Sequence, residues 1–112
     1  MQQLKKGLLE MLVLHLLCGR PAYGYELLSL LRDCSDGRFA LKEGTLYPIL
    51  YRLEDDGLIE ARWSSGEGRS TPKKIYAVTV AGRAEDQRRR ALWADYSQTV
   101  TTLLEEEPTW IE

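Results

Sequence analysis

Between residues 42 and 63 the chain reads KEGTLYPILYRLEDDGLIEARW, and several of its polar and aromatic groups fall where a helical core does not claim them. Leu46, Ile49, Leu50 and Leu53 recur at spacings of three and four, the pattern of one buried helix face. Thr45, Tyr47, Pro48, Tyr51 and Arg52 are left to the other faces, with Lys42 and Gly44 just ahead of them. A phenol can donate to a phosphate oxygen or press on a thymine methyl, and a guanidinium can reach a phosphate or a guanine edge. At the start of such a helix the free backbone N–H groups and the positive dipole end also favour a phosphate. A second cluster is cationic: GEGRSTPKK at 66–74 holds Arg69, Lys73 and Lys74 against one acid, Glu67. A basic loop of that kind suits attraction to a polyanion.

Other chemistries find little support. Cys18 and Cys34 make no metal-ligand spacing and have only His15 as a further soft ligand, so no metal and no cofactor are expected. Two free thiols in a chain this rich in apolar residues fit a reducing cytosol. His15 has no readable catalytic partner and is expected to be packed. Asp55 and Asp56 precede Gly57, where turn formation explains them. No nucleophile–base pair and no phosphate-cradling loop is present, so an enzyme is the least favoured class.

The 112 residues suffice for one domain with a modest core plus an appendage. No apolar run approaches the roughly 20 residues of a membrane span. A net charge of −2 argues against a nucleic-acid partner. Its distribution softens that objection: residues 1–80 hold 11 Lys/Arg against 10 Asp/Glu, whereas residues 81–112 hold 4 against 7. Any basic contact face must therefore be local.

LKKGLLEMLVLHLLCG reads as a first helix stopped at Gly19, with Pro21 beyond it. A second helix is expected from about Tyr23 to Asp33, ended by Ser35-Asp36-Gly37, and a third from Glu43 or Gly44 to about Asp56, closed by Gly57. Pro48 is expected within the first turn, where its missing N–H has no partner to lose. Ile59, Ala61 and Trp63 alternate with polar residues, and KKIYAVTV follows the basic loop, which predicts a hairpin. Thr79 can cap a long helix from about Gly82 to Glu106. Its stripe of Leu92, Trp93, Tyr96, Val100, Leu103 and Leu104 needs a partner, because some 25 residues span about 37 Å and overhang a globule about 30 Å across. The expected fold is mainly α (α+β): a winged helix-turn-helix over residues 1–80, then a C-terminal dimerisation helix and short acidic tail over residues 81–112. In that architecture the third helix enters the major groove and the loop touches an adjacent phosphate or minor groove.

PAYGYEL at 21–27, GTLYPILYRLEDDGLI at 44–59, GR at 68–69 and KIYAVTVAGR at 74–83 together resemble the PadR family of transcriptional regulators, over nearly the whole chain. The compact length and single long C-terminal helix are similar to its shorter subgroup, which includes a lactococcal multidrug-resistance regulator. One departure is GRSTPKK, where members often carry a proline and a basic run directly after the wing glycine.

The resemblance implies a homodimeric repressor that reads a palindromic site in double-stranded DNA. It makes the third helix the reading head and Tyr25 a backbone contact, whereas Tyr23 is expected to seal a helix junction. The expected DNA-facing set is Lys5, Lys6, Tyr25, Lys42, Gly44, Thr45, Tyr47, Pro48, Tyr51, Arg52, Arg69, Ser70, Lys73 and Lys74. For Thr45 and Tyr47 contact is favoured; Tyr51 is balanced between contact and core. Arg88, Arg89 and Arg90 are assigned to a solvated helix face, because Glu85 and Asp86 stand four residues before Arg89 and Arg90. Trp93 matches a tryptophan that stacks flat ligands in the resembling regulator, so a small hydrophobic ligand held by Leu4, Leu8, Met11, Trp93, Tyr96 and Ser97 competes with plain dimer packing. The alternative to DNA binding is a winged-helix module that binds only protein.

Overall fold

The computed structural model describes residues 2–65 and 71–108, and side chains from residue 7 onward. Helix α1, Gln2–Gly19, buries Leu9, Val13, Leu14 and Leu17 along one side. A two-residue strand β1, Ala22–Tyr23, leads into α2, Gly24–Cys34, which adds Leu27 and Leu31 to the core. The Glu26 carboxylate accepts from the Tyr23 backbone N–H at 3.2 Å and from Arg20 at 2.6 Å, so the helix start is both capped and clamped. Beyond α2, Asp36 and Gly37 take positive φ values of 53° and 82°, which turns the chain toward α3.

Helix α3, Glu43–Asp55, buries Leu46, Ile49, Leu50 and Leu53, the four residues expected. It ends in a Schellman motif: Gly57 has φ 74°, its N–H donates to the Glu54 carbonyl and the Leu58 N–H donates to that of Leu53, both at 3.0 Å. Pro48 is a correction. It is the sixth residue of α3 and therefore interior, where its ring faces the turn of Gly44 and no hydrogen bond returns to that carbonyl.

Strands β2, Ile59–Trp63, and β3, Lys74–Val78, pair antiparallel with Ala61 opposite Tyr76. β1 pairs on the other side of β3, giving the order β1-β3-β2, with Ala22 opposite Tyr76. The sequence reading placed Tyr23 in α2 and contained no β1; two residues are too few to carry a period. Trp63 also departs from the expected inward alternation and is 68% exposed, because the sheet outruns the core at that end.

Helix α4, Val80–Glu105, is capped by Thr79, whose Oγ1 accepts from the Gly82 N–H at 3.0 Å. The molecule measures 72 × 29 × 20 Å with a radius of gyration of 17.4 Å, against about 13 Å for a compact chain of this length. The excess is the free half of α4. The fold is mainly helical with a small antiparallel sheet. No helix among the described residues is long and apolar enough to cross a membrane.

Candidate nucleic-acid interface

The start of α2, the outer side of α3 and the proximal wing strand meet on one side of the subunit. Tyr25 is 67% exposed and Tyr51 54% exposed. The Tyr47 and Tyr51 rings lie 6.3 Å apart, one helical turn along α3. Lys73 places its ammonium 4.3 Å from the Tyr23 ring centroid, so the wing base rests on the residue that precedes α2. Lys74 stands 6.0 Å from the Tyr51 ring and 4.0 Å from Glu54 Oε1. Thr45, Lys42, Gly44 and Pro48 are exposed at or near the α3 start.

Three of the expected side chains are engaged within the subunit. Tyr47 is half-buried and packs on the core, with its hydroxyl over Gly24, where an added Cβ would lie 2.5 Å away. Gly24 thus lets α2 and α3 approach, and Tyr47 buttresses α3 where the sequence reading favoured an outward contact. Arg52 turns away from the outer face toward α1: its Nε lies 3.4 Å from Glu10 Oε2 but off the hydrogen-bond direction, leaving that buried N–H without a partner among the described residues. Lys74 is partly neutralised by Glu54, so Lys73 is the freer cation. Arg69 and Ser70 lie outside the described residues, as do the side chains of Lys5 and Lys6. Trp63, exposed beside Lys74 across the hairpin, was read only as part of the strand's alternation.

Elsewhere, α1 and α4 enclose an open cleft of about 510 Å³ lined by Leu8, Glu10, Met11, Leu92, Trp93 and Tyr96, among others. Leu4 lies outside the described side chains. Ser97 does not line this cleft; its hydroxyl donates to the Ala94 carbonyl of its own helix at 3.3 Å. Trp93 is 47% exposed, and Val100, Leu103 and Leu104 farther along α4 are more so. Among the described residues no group of three or more His, Cys, Asp or Glu could hold a metal ion.

Residues 13–88 match the model of the transcriptional regulator PadR-like family, more than half of the chain. The chain belongs to the PadR family. A PadR-family regulator from Eggerthella lenta has a similar crystal structure, with a TM-score of 0.82 and 37% identity over 95% of this chain and 89% of that one. A PadR-like regulator from Bacillus cereus is 30% identical, covering 94% and 99% of the two chains, with a TM-score of 0.79. A transcriptional regulator of Mycobacterium tuberculosis is 32% identical over 79% of this chain and 80% of its own length. Members of the PadR family are transcriptional regulators, which sets the enzyme reading aside.

In this PadR chain a polar joint fixes α4 to α1. Asp86 is 3% exposed, accepts from Arg90 Nε at 3.1 Å, and lies 3.0 Å from His15 Nδ1. Arg83 adds a hydrogen bond to the Cys18 carbonyl at 3.1 Å. Burial, then the Asp86 carboxylate, push the Cys18 thiol up from its ordinary value, which disfavours a reactive thiolate. His15 is a partner of Asp86 rather than a core residue, a link across 71 positions that no local pattern announces.

The Arg88–Arg90 run is neutralised as expected. Glu85 receives Arg88 at 2.6 Å and Arg89 at 2.7 Å. The Arg88 hydrogen bond lowers the Glu85 carboxyl from 4.5 to about 2, against a smaller upward push from burial, with Arg89 assisting. Its folded value is below its unfolded one, so the stabilisation is complete above pH 4.5 and lost as pH falls toward 2. Solvent around the arginines screens most of it, leaving about 1 kcal/mol or less. Glu85→Gln should flatten the acid limb of a stability–pH curve in that window by this amount; an unchanged slope in urea titrations would refute it.

Proposed function

We propose that the protein is a homodimeric, sequence-specific DNA-binding repressor that acts in the cytoplasm and is released by a small hydrophobic or aromatic ligand. The observation that carries the DNA reading is that the wing base meets both helices, Lys73 over Tyr23 just ahead of α2 and Lys74 near the exposed Tyr51 of α3. Helix α3 enters the major groove with Tyr51, Thr45 and its N-terminal backbone, Tyr25 touches the backbone, and the wing adds Lys73 and Arg69 on phosphates. Arg52 and Tyr47 drop out of the direct-contact set and hold α3 in place.

Dimerisation is supported by the apolar stripe of α4, whose Val100, Leu103 and Leu104 are more than half exposed. A two-fold pair joined through α4 and α1 places the two α3 helices about 34 Å apart, one turn of duplex, and so reads a palindrome. A ligand in the cleft between α1 and α4 acts by favouring one separation of the heads over another.

The net charge of −2 favours one competing reading, a winged module that binds only protein. Binding to the promoter region of the protein's own gene, followed as salt is raised, decides between them. Specific retention that weakens steeply with salt is expected, and Lys73→Ala should lower the salt slope by about one while weakening all sequences alike. Absence of specific retention at low salt would favour the protein-only module.

A further inference from the structure

We infer that Trp63 is a DNA-contacting residue at the base of the wing, where its indole lies against the deoxyribose of the strand that passes from α3 to the hairpin. The inference rests on the DNA reading above and adds a contact to sugar where the other contacts are to phosphate and base. Along β2 the side chains of Ile59, Ala61 and Trp63 share one face of the sheet, and at Ile59, 2% exposed, that face lies on the core. Four residues farther on the core has ended, and Trp63 is 68% exposed. Its indole N–H donates to nothing among the described residues. The position is nonetheless fixed, because the hairpin ladder continues past it: the Ser64 N–H donates to the Lys73 carbonyl at 2.7 Å and the Lys73 N–H to Ser64 Oγ at 2.9 Å. An aromatic plane on a paired strand binds with little ordering cost.

What Trp63 faces is set by its neighbours. Lys74 lies directly opposite it in the register and so on the same face, and the Lys74 ammonium stands 6.0 Å from the ring of Tyr51 on α3. Trp63 thus continues the surface that runs from Tyr51 through Lys74 into the wing. With α3 in the major groove and the wing on an adjacent phosphate, a backbone strand crosses this corner. Lys74 gives part of its charge to Glu54 at 4.0 Å, so the corner offers that strand an aromatic plane more than a cation. The C–H faces of deoxyribose suit an indole, whereas the phosphates suit Lys73. Such a contact covers apolar surface and releases no counterions, so it adds affinity that salt does not remove.

The test uses the full chain and a labelled duplex from the promoter region of its own gene, with affinity read by fluorescence anisotropy across a salt series. Trp63→Ala should bind about tenfold more weakly at every salt concentration, in a log–log plot parallel to that of wild type, whereas Lys73→Ala should change the slope. Trp63→Phe keeps an aromatic face and should stay within about threefold of wild type. Mass by light scattering and Tm should be unchanged in both Trp63 variants. In protein labelled with 5-fluorotryptophan, the Trp63 resonance, assigned by its loss in Trp63→Phe, should shift when the duplex saturates the wild type. If wild type retains no specific DNA at low salt, the DNA reading fails and this inference with it. If wild type does bind, the DNA reading survives and the role of Trp63 alone is overturned by any of four results. These are an affinity of Trp63→Ala within about twofold of wild type, a slope lowered as Lys73→Ala lowers it, a changed mass, which gives Trp63 to a protein contact, and an unmoved Trp63 resonance.

Discussion

A chain carrying Val100→Glu and Leu103→Glu should be a folded monomer that binds operator DNA at least about 100-fold more weakly than wild type. Both side chains are more than half exposed within the subunit, at 52% and 67%, so removing them leaves the winged core intact. In a two-fold pair they face their own copies, and a glutamate at each would put four carboxylates in a desolvated seam. The DNA effect follows from linkage of the two heads. A second α3 held near the first sees its half-site at an effective concentration in the millimolar range, and avidity of this kind is worth about 10²–10⁴. Light scattering reports the mass, circular dichroism the helix content, and fluorescence anisotropy the affinity. A variant that stays dimeric removes the proposed interface from α4, and a folded monomer with undiminished affinity removes the need for two heads.

Local pattern carried most of the fold. The stripe of Leu46, Ile49, Leu50 and Leu53 gave α3 its buried face, Gly57 its stop, and Thr79 the start of α4 within two residues, because each is decided within one helical turn. The pairing of Glu85 with Arg89 and of Asp86 with Arg90 was readable for the same reason. What sequence could not supply was the neighbour at the flank of a helix. Tyr47 and Arg52 lie roughly 100° or more to either side of the α3 core line, where periodicity allows solvent or a contact with equal ease. Their partners, Gly24 and Glu10, stand 23 and 42 positions earlier and become visible only when α2 and α1 are in place. An exposed polar and aromatic surface was thus legible in outline, while Tyr47 and Arg52 lie against neighbouring helices where outward faces were expected. Pro48 misled in a different way, since proline usually marks a first turn and here sits in the interior of α3.

Gly82→Ala should cost about 2–3 kcal/mol, and lower Tm by about 10 °C or more, although intrinsic helix propensity argues for the opposite sign. Alanine in place of glycine inside a helix is worth up to about 1 kcal/mol in its favour when space is open. Space is not open here: a Cβ on Gly82 would collide with the Leu58 carbonyl oxygen and lie 2.7 Å from Val78 Cγ2. That carbonyl cannot retreat, because it accepts the Thr79 N–H at 3.0 Å, while Thr79 Oγ1 donates to the Gly57 carbonyl at 2.7 Å and receives the Gly82 N–H. The backbone after α3 and the first turn of α4 are therefore bonded into one unit with no slack. Thr79→Ala, which removes the cap but leaves the approach, should cost only about 1 kcal/mol. The difference matters for function, since this unit sets the direction in which α4 leaves the winged domain and, in the proposed dimer, the separation of the two heads. Gly82→Ala should accordingly weaken operator binding even at temperatures where the variant is fully folded, and an unchanged or raised melting point would show that the approach of α4 to Leu58 is not the constraint.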